Sequence, residues 1–330
     1  MRFVLSRTTR FLLFVLFAAT IFAQQPDVIG LTDFTVPSWP ENGVVPASMK
    51  DNYVFIDLPK NEYVVAYPEN LGTDAFAKDG PGAMKVNRYE LLRNVAPTVI
   101  STVTAAGPAK FKYAYVVQNG SSAKQSIDQW VVSLPALSGS DTVRAPDGWF
   151  GLIQKGRTFK LKNPEWIRTG AAAVWSFQKA DQVITPGTSK TGFEIESELR
   201  PGFAVAYLRK TESVDVKVTT HGNVPKEVKE QMDQVLQLEF NSRTVLTYAP
   251  KFDKATDDHA IAEDFVQGIV TLNRAGILDL NSDFTRNALS ELSSIKPGMS
   301  GSTMKLTVAP KTPAETAFLN ALKVSLKLPN

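Results

Sequence analysis

Between Ala171 and Lys210 the chain reads AAAVWSFQ, a short polar turn, ITPGTSKTGFEIESE, LRPG and FAVAYLRK, and in each run apolar residues recur at every second position. A helix brings a residue back to the same face every 3.6 positions, so this period belongs to strands with one dry and one wet face. Ala173, Trp175 and Phe177 share a face of the first run. Phe193, Ile195, Ser197 and Leu199 share a face of the second, with Glu194, Glu196 and Glu198 opposite, and Phe203, Val205 and Tyr207 align on the third. Pro-Gly turns between the runs mark consecutive antiparallel strands. A sheet with one apolar face has to cover it, so a second, facing sheet is expected.

The same alternation extends backwards. Phe111, Tyr113, Tyr115 and Val117 alternate up to Asn119-Gly120, a pair that favours a turn with positive φ. Strands are also expected over Ile127–Leu134, Trp149–Ile153 and Thr158–Lys162, and Val214, Val216 and Val218 close the series. Residues 85–222 therefore read as an all-β, immunoglobulin-like sandwich. Residues 24–84, with strand-like runs Tyr53–Ile56 and Tyr63–Tyr67, read as an extended arm whose hairpin joins that sandwich. From Asn223 the period changes. Val228, Met232, Val235 and Leu236 fall on one helical stripe, as do Ile261, Phe265, Ile269 and Leu272 before a Gly276 C-cap. A third helix is expected from Ser282, and Thr312-Pro313-Ala314-Glu315 is a capping box opening a fourth. Residues 223–330 thus read as a small C-terminal all-α helical unit.

The first residues stand apart. Arg2, Arg7 and Arg10 precede an apolar run from Phe11 to Phe22, and Ala23 is a small residue before Gln24-Gln25-Pro26. Residues 1–23 read as a secretory signal peptide, with an uncleaved anchor as the alternative, so the product is expected to be secreted, periplasmic or extracellular. The chain holds 36 Lys+Arg and 33 Asp+Glu, and the leader accounts for the excess of three. A mature chain balanced in this way offers no electrostatic case for nucleic acid. Cysteine is absent, which excludes disulfides, thiolate catalysis and Cys-ligated metals. No second long apolar run suggests a transmembrane segment.

Familiar catalytic patterns are missing. The two histidines, His221 and His259, have no sequence context that joins them, and no serine sits in a G-x-S-x-G elbow. Gly187–Gly192 has a lysine misplaced for a phosphate loop and reads as a hairpin turn. Asp279, Asn281 and Asp283 begin like a calcium loop but lack its glycine and its closing glutamate; capping of a helix explains them. Asp257, His259 and Glu263 crowd a helix start, and His259 and Glu263, four apart, share a face that suits a metal. The competing account is acids complementing the helix dipole. The row Glu194, Glu196, Glu198 suits a cation or basic partner, against a solvated face neutralised by Lys160 and Lys162. Trp149, Phe150 and Trp166 lie near loops and are candidates to stack on a ligand such as a sugar ring, against core packing.

Ile184-Thr185-Pro186-Gly187-Thr188-Ser189, then Gly192-Phe193 and Leu199-Arg200-Pro201-Gly202, with Trp175 on the preceding strand, resemble an uncharacterised β-sandwich domain of secreted bacterial proteins. The resemblance covers Tyr89 to Lys210; it implies an immunoglobulin-like fold and a bacterial, exported origin, and it brings no catalytic residues. Ile261 to Leu292 is similar to helical attachment modules at the C-termini of exported bacterial proteins. The expected function is non-catalytic binding or structural work in the bacterial envelope or outside it, with a protein or glycan partner and no cofactor. A secreted glycan hydrolase using carboxylate pairs is the alternative.

Overall fold

The computed structural model describes residues 36–107, 109–155, 171–211, 224–235 and 242–328. The proposed leader, Trp166, the Thr158–Lys162 run, the valines at 214–218 and His221 lie outside them. Among the described residues twelve strands form three sheets. In the first, β1 (Val54–Asp57), β2 (Glu62–Pro68) and β3 (Met84–Glu90) pair antiparallel in chain order, with the short helix α1 (Asp74–Asp79) between β2 and β3.

The next strands are β4 (Pro97–Gly107), β5 (Lys110–Asn119), β6 (Gln129–Leu134), β7 (Thr142–Arg144) and β8 (Trp149–Gln154). After them come β9 (Ala171–Phe177), β10 (Ser189–Ser197), β11 (Arg200–Arg209) and, much later, β12 (Arg243–Phe252). They build a four-stranded sheet in the order β4-β5-β10-β7 and a five-stranded sheet in the order β12-β11-β6-β9-β8. The inward residues are those the alternation selects: Tyr113, Tyr115 and Val117 on β5, Trp130 and Val132 on β6, Trp175 on β9, Phe193 and Ile195 on β10. Trp130 stacks on Trp175 within one sheet, with ring centroids 4.2 Å apart. From the other sheet Tyr115 and Phe193 meet Trp130 edge-on at 5.3 and 5.2 Å. Such offset and edge contacts each add about 0.5–1.5 kcal/mol beyond area burial, so this aromatic knot fixes how the two sheets face one another.

Two local expectations change. Asn119-Gly120 makes no tight hairpin, and Gly120 is not among the glycines with positive φ. Asn119 is buried instead: its amide donates to Gln125 O and Ile184 O while its Oδ1 accepts from Ala96 N. A side chain so enclosed cannot carry a glycan, although Asn119-Gly120-Ser121 has the sequon form. Pro201-Gly202 does not form the turn either; both residues lie inside β11, and the chain reverses at Glu198-Leu199.

The larger difference lies after 223. The helix α2 (Lys226–Val235) forms, with Val228 and Met232 fully buried, but its partners are Val54, Tyr63, Val65 and Leu91 of the first sheet and its linker. Gln231 accepts from Tyr53 N at 2.7 Å and donates to Asp51 O, tying α2 to the chain that enters β1. The first sheet therefore has a core of its own, capped by α2, where an arm joining the sandwich was expected. Within the stretch read as all-helical, β12 then pairs along β11 from Arg200↔Phe252 to Leu208↔Arg243. Both its faces are largely buried, which erases the alternation that identifies a half-exposed strand.

The last three helices are α3 (Asp258–Arg274), α4 (Asp283–Ser294) and α5 (Pro313–Leu326). Their stripes behave as expected: Ile261, Phe265, Ile269, Phe284, Ala288, Leu292, Phe318 and Leu322 are all buried. They join the sandwich in one continuous apolar cluster running from Val99 and Trp130 to Leu326. Phe203 of β11 is the hinge of that contact, with its ring 5.3 Å from Phe265 and 4.7 Å from Tyr248. Arg200, almost fully buried, adds a polar lock. Its guanidinium donates to Asp258 Oδ1 at 2.9 Å and to the carbonyls of Ser325, Asp253 and Thr256.

Candidate functional site

The helix α3 begins with Asp257 as its cap. One carboxylate oxygen accepts from His259 N at 3.0 Å and the other from Gly298 N at 3.0 Å. The hydrogen bonds from the His259 and Gly298 amides hold the Asp257 carboxyl below its ordinary range. Asp258 is equally occupied, between Arg200 and Gly301 N. Asp257 is therefore corrected from candidate metal ligand to structural cap, because both its oxygens are taken by backbone donors.

One turn on, His259 and Glu263 do come together. The Nδ1 of His259 lies 2.8 Å from Ile295 O. A carbonyl only accepts, so Nδ1 carries the proton in that contact and Nε2 is the free ring nitrogen of the neutral imidazole. That Nε2 sits 3.5 Å from Glu263 Oε1. Among the described residues no three His, Cys, Asp or Glu side chains converge on a point.

Behind the pair runs a cleft of about 630 Å³, between α3, the end of α4 and the tail of β12. Phe252, Val266, Leu292 and Ile295 supply its apolar surface, and His259, Glu263 and Gln267 its polar rim. The far side is closed by a second ion pair. Lys251 Nζ meets Asp264 Oδ1 at 2.5 Å, Asp264 Oδ2 accepts from Phe203 N, and Lys251 donates to Phe203 O. Gly202 makes room for this clasp, since a Cβ there would stand 2.6 Å from Lys251 Cδ and 2.9 Å from Asp264 Oδ2. The cleft is assembled from residues 251 to 295, which sequence reasoning assigned only to helix caps and stripes. The His259/Glu263 spacing is its one trace in the sequence.

The aromatic candidates separate. Trp149 is only 5% exposed, its indole donates to Gln182 O at 2.7 Å, and its ring meets Phe193 edge-on. It is a core residue, and the expectation of a ligand-stacking surface there is corrected. Phe150, its neighbour, is 38% exposed on the outer face of the edge strand β8, next to Leu152 at 42%. The acidic row on β10 is neutralised from its neighbours. Glu194 pairs with Lys112 of β5, Glu196 with Arg144 of β7, and Glu198 accepts from Ser140. Asp279 and Ser282 cap the turn into α4, and Asp283 pairs with Arg286 and Lys311, as capping requires.

No family model and no curated protein matches this chain. Among solved structures it is similar to an uncharacterized protein from Nocardia farcinica, whose crystal structure reveals an immunoglobulin-like fold. The match has 12% identity and a TM-score of 0.24, and it covers 45% of this chain and 95% of that one. So loose a superposition transfers no residue. No helix among the described residues is long and apolar enough to cross a membrane.

Proposed function

We propose that this chain is a non-catalytic binding or structural protein, exported to the bacterial envelope or beyond, whose sandwich is immunoglobulin-like. The strand order supports the fold reading. Lettering the sandwich strands along the chain, β4-β5-β10-β7 takes the places A-B-E-D and β12-β11-β6 the places G-F-C, with the β8–β9 hairpin added beside C. The arginine-flanked apolar run at the N-terminus supports export.

One observation carries the binding reading. The open cleft beside α3 joins an apolar floor to a polar rim of His259, Glu263 and Gln267. The carboxylates elsewhere are largely spoken for by helix caps and cross-strand ion pairs. In the smaller depression lined by Glu198 and Asp253, Asp253 already accepts from Ala255 N, Thr256 N and the Thr256 hydroxyl. Glu198 there is itself engaged by the Ser140 hydroxyl, so both carboxylates of that depression already hold structural contacts.

A photo-cross-linker at Gln267, on the rim, tests the reading against one at Lys229 on the exposed side of α2. Incubation with envelope and secreted material from the native host should give a discrete adduct at 267 and none at 229. Equal labelling at both positions, or release of reducing ends from envelope glycan by the purified chain, would overturn it.

A further inference from the structure

His259 Nε2 and Glu263 Oε1 face one another at 3.5 Å across one turn of α3. We infer that this pair is a zinc-class divalent cation site with two protein ligands, His259 Nε2 and Glu263 Oε1. It goes beyond the binding role, because it requires no macromolecular partner.

Two independent observations support it. The first is spacing. A tetrahedral zinc with its nitrogen and oxygen ligands at about 2.0–2.2 Å places those two atoms about 3.3–3.5 Å apart, and Nε2 and Oε1 stand 3.5 Å apart on successive turns of α3. The second is the other side of the ring. Histidines that bind metal ordinarily donate their remaining N–H to a carbonyl or carboxylate, which fixes tautomer and orientation. Here Nδ1 points at Ile295 O at 2.8 Å, and Ile295 belongs to the segment that follows α4, so a separate element holds the imidazole in register.

The surroundings leave the pair available. Asp257 and Asp264, the neighbouring acids, are consumed by backbone amides and by Lys251, and Arg200 is likewise paired with Asp258. Glu263 has a side chain 68% exposed and His259 one 29% exposed, which leaves an entry path for a hydrated ion. Two of four tetrahedral positions would remain open on the rim of the cleft, for water or for a donor atom of whatever occupies it. Softer thiolate-preferring ions are disfavoured by this nitrogen and oxygen donor set, and calcium and magnesium by the imidazole.

The test is titration of the full chain with zinc by calorimetry and with cobalt by visible absorption. His259→Ala, Glu263→Gln, Lys229→Ala and His221→Ala are run alongside. One saturable site is expected, weakened at least about tenfold by either of the first two substitutions and unchanged by the last two. Nitrogen-detected NMR of the imidazoles should show zinc shifting Nε2 of His259 while Nδ1 keeps its proton. Glu263 is exposed and His259 half-buried, and a retained denaturation midpoint confirms that each variant is folded. Absence of saturable binding, equal affinity in the His259 and Glu263 variants, or loss of the site with His221→Ala would each overturn the assignment.

Discussion

Gly268 sits in the middle of α3, where alanine would normally be the better helix former by about 1 kcal/mol. Here a Cβ would stand 2.0 Å from the Phe203 ring. Gly268→Ala should therefore destabilise the protein, by about 1–3 kcal/mol, read as a lowered denaturant midpoint, and Phe203→Leu should recover part of the loss. The glycine is visible in the sequence as a weak point in a helix; the ring that demands it is not. Trp149-Phe150 poses the same limit. Alternation says that one of the two faces inward without saying which, and pairing with β9 decides, placing Trp149 inside and Gly151 against Trp175. Glu315 offers a second test at this scale. Burial pushes its carboxyl up, but hydrogen bonds from Lys311 N, Ser282 Oγ and Thr312 N outweigh it and leave it below the ordinary range. The carboxylate thereby ties the starts of α4 and α5 together. Glu315→Gln should cost about 1–3 kcal/mol, because an amide turns N–H groups toward donors that then lack an acceptor.

The amphipathic stripes of α2 to α5 and most strands were legible, since period alone reports an element's type. Partnership is not encoded in period. The stripe of α2 announces a buried face but not that it lies on a sheet more than 130 positions earlier, at Tyr63 to Leu91. Gln231→Ala should deprive Tyr53 N and Val54 N of their acceptor, accelerating hydrogen exchange at those two amides while sandwich amides such as Tyr115 stay protected. The strand β12 was illegible for the opposite reason: buried on both sides, it shows no alternation at all. Its pairing with β11 makes a further expectation concrete. Residues 85–222 expressed alone lack β12 and the helices that cover Phe203, and should give neither dispersed NMR signals nor a cooperative unfolding transition.

At the level of the whole molecule, a single apolar cluster links sandwich and helices, so both should unfold in one calorimetric transition. Arg200→Ala would leave the carbonyls of Ser325, Asp253 and Thr256 without their donor and half-buried Asp258 without its counter-charge, and should destabilise the fold by about 1–3 kcal/mol. Acid should act the same way. Asp57, held down first by its hydrogen bond from Arg88, together with Asp253, Asp257, Asp283 and Glu315, has a folded value below the unfolded one. Their stabilisation is full above the ordinary carboxylate range and is lost as pH falls through their lowered folded values. Asp128, raised by burial, runs the other way: it costs stability as pH climbs from the ordinary value to its elevated folded one. With five groups against one, denaturant midpoints should drop on acidification.

The detour that the backbone makes between β11 and β12, out to the first sheet and back, also sets a timetable. A ribosome or a translocon delivers β1 to β3 early, yet their lid arrives only with residues 226–235, and the sandwich waits still longer for its final edge at 243–252. Neither half can close before those residues are delivered, so the polypeptide stays threadable until 226–252 have emerged and then locks both halves within a few dozen residues.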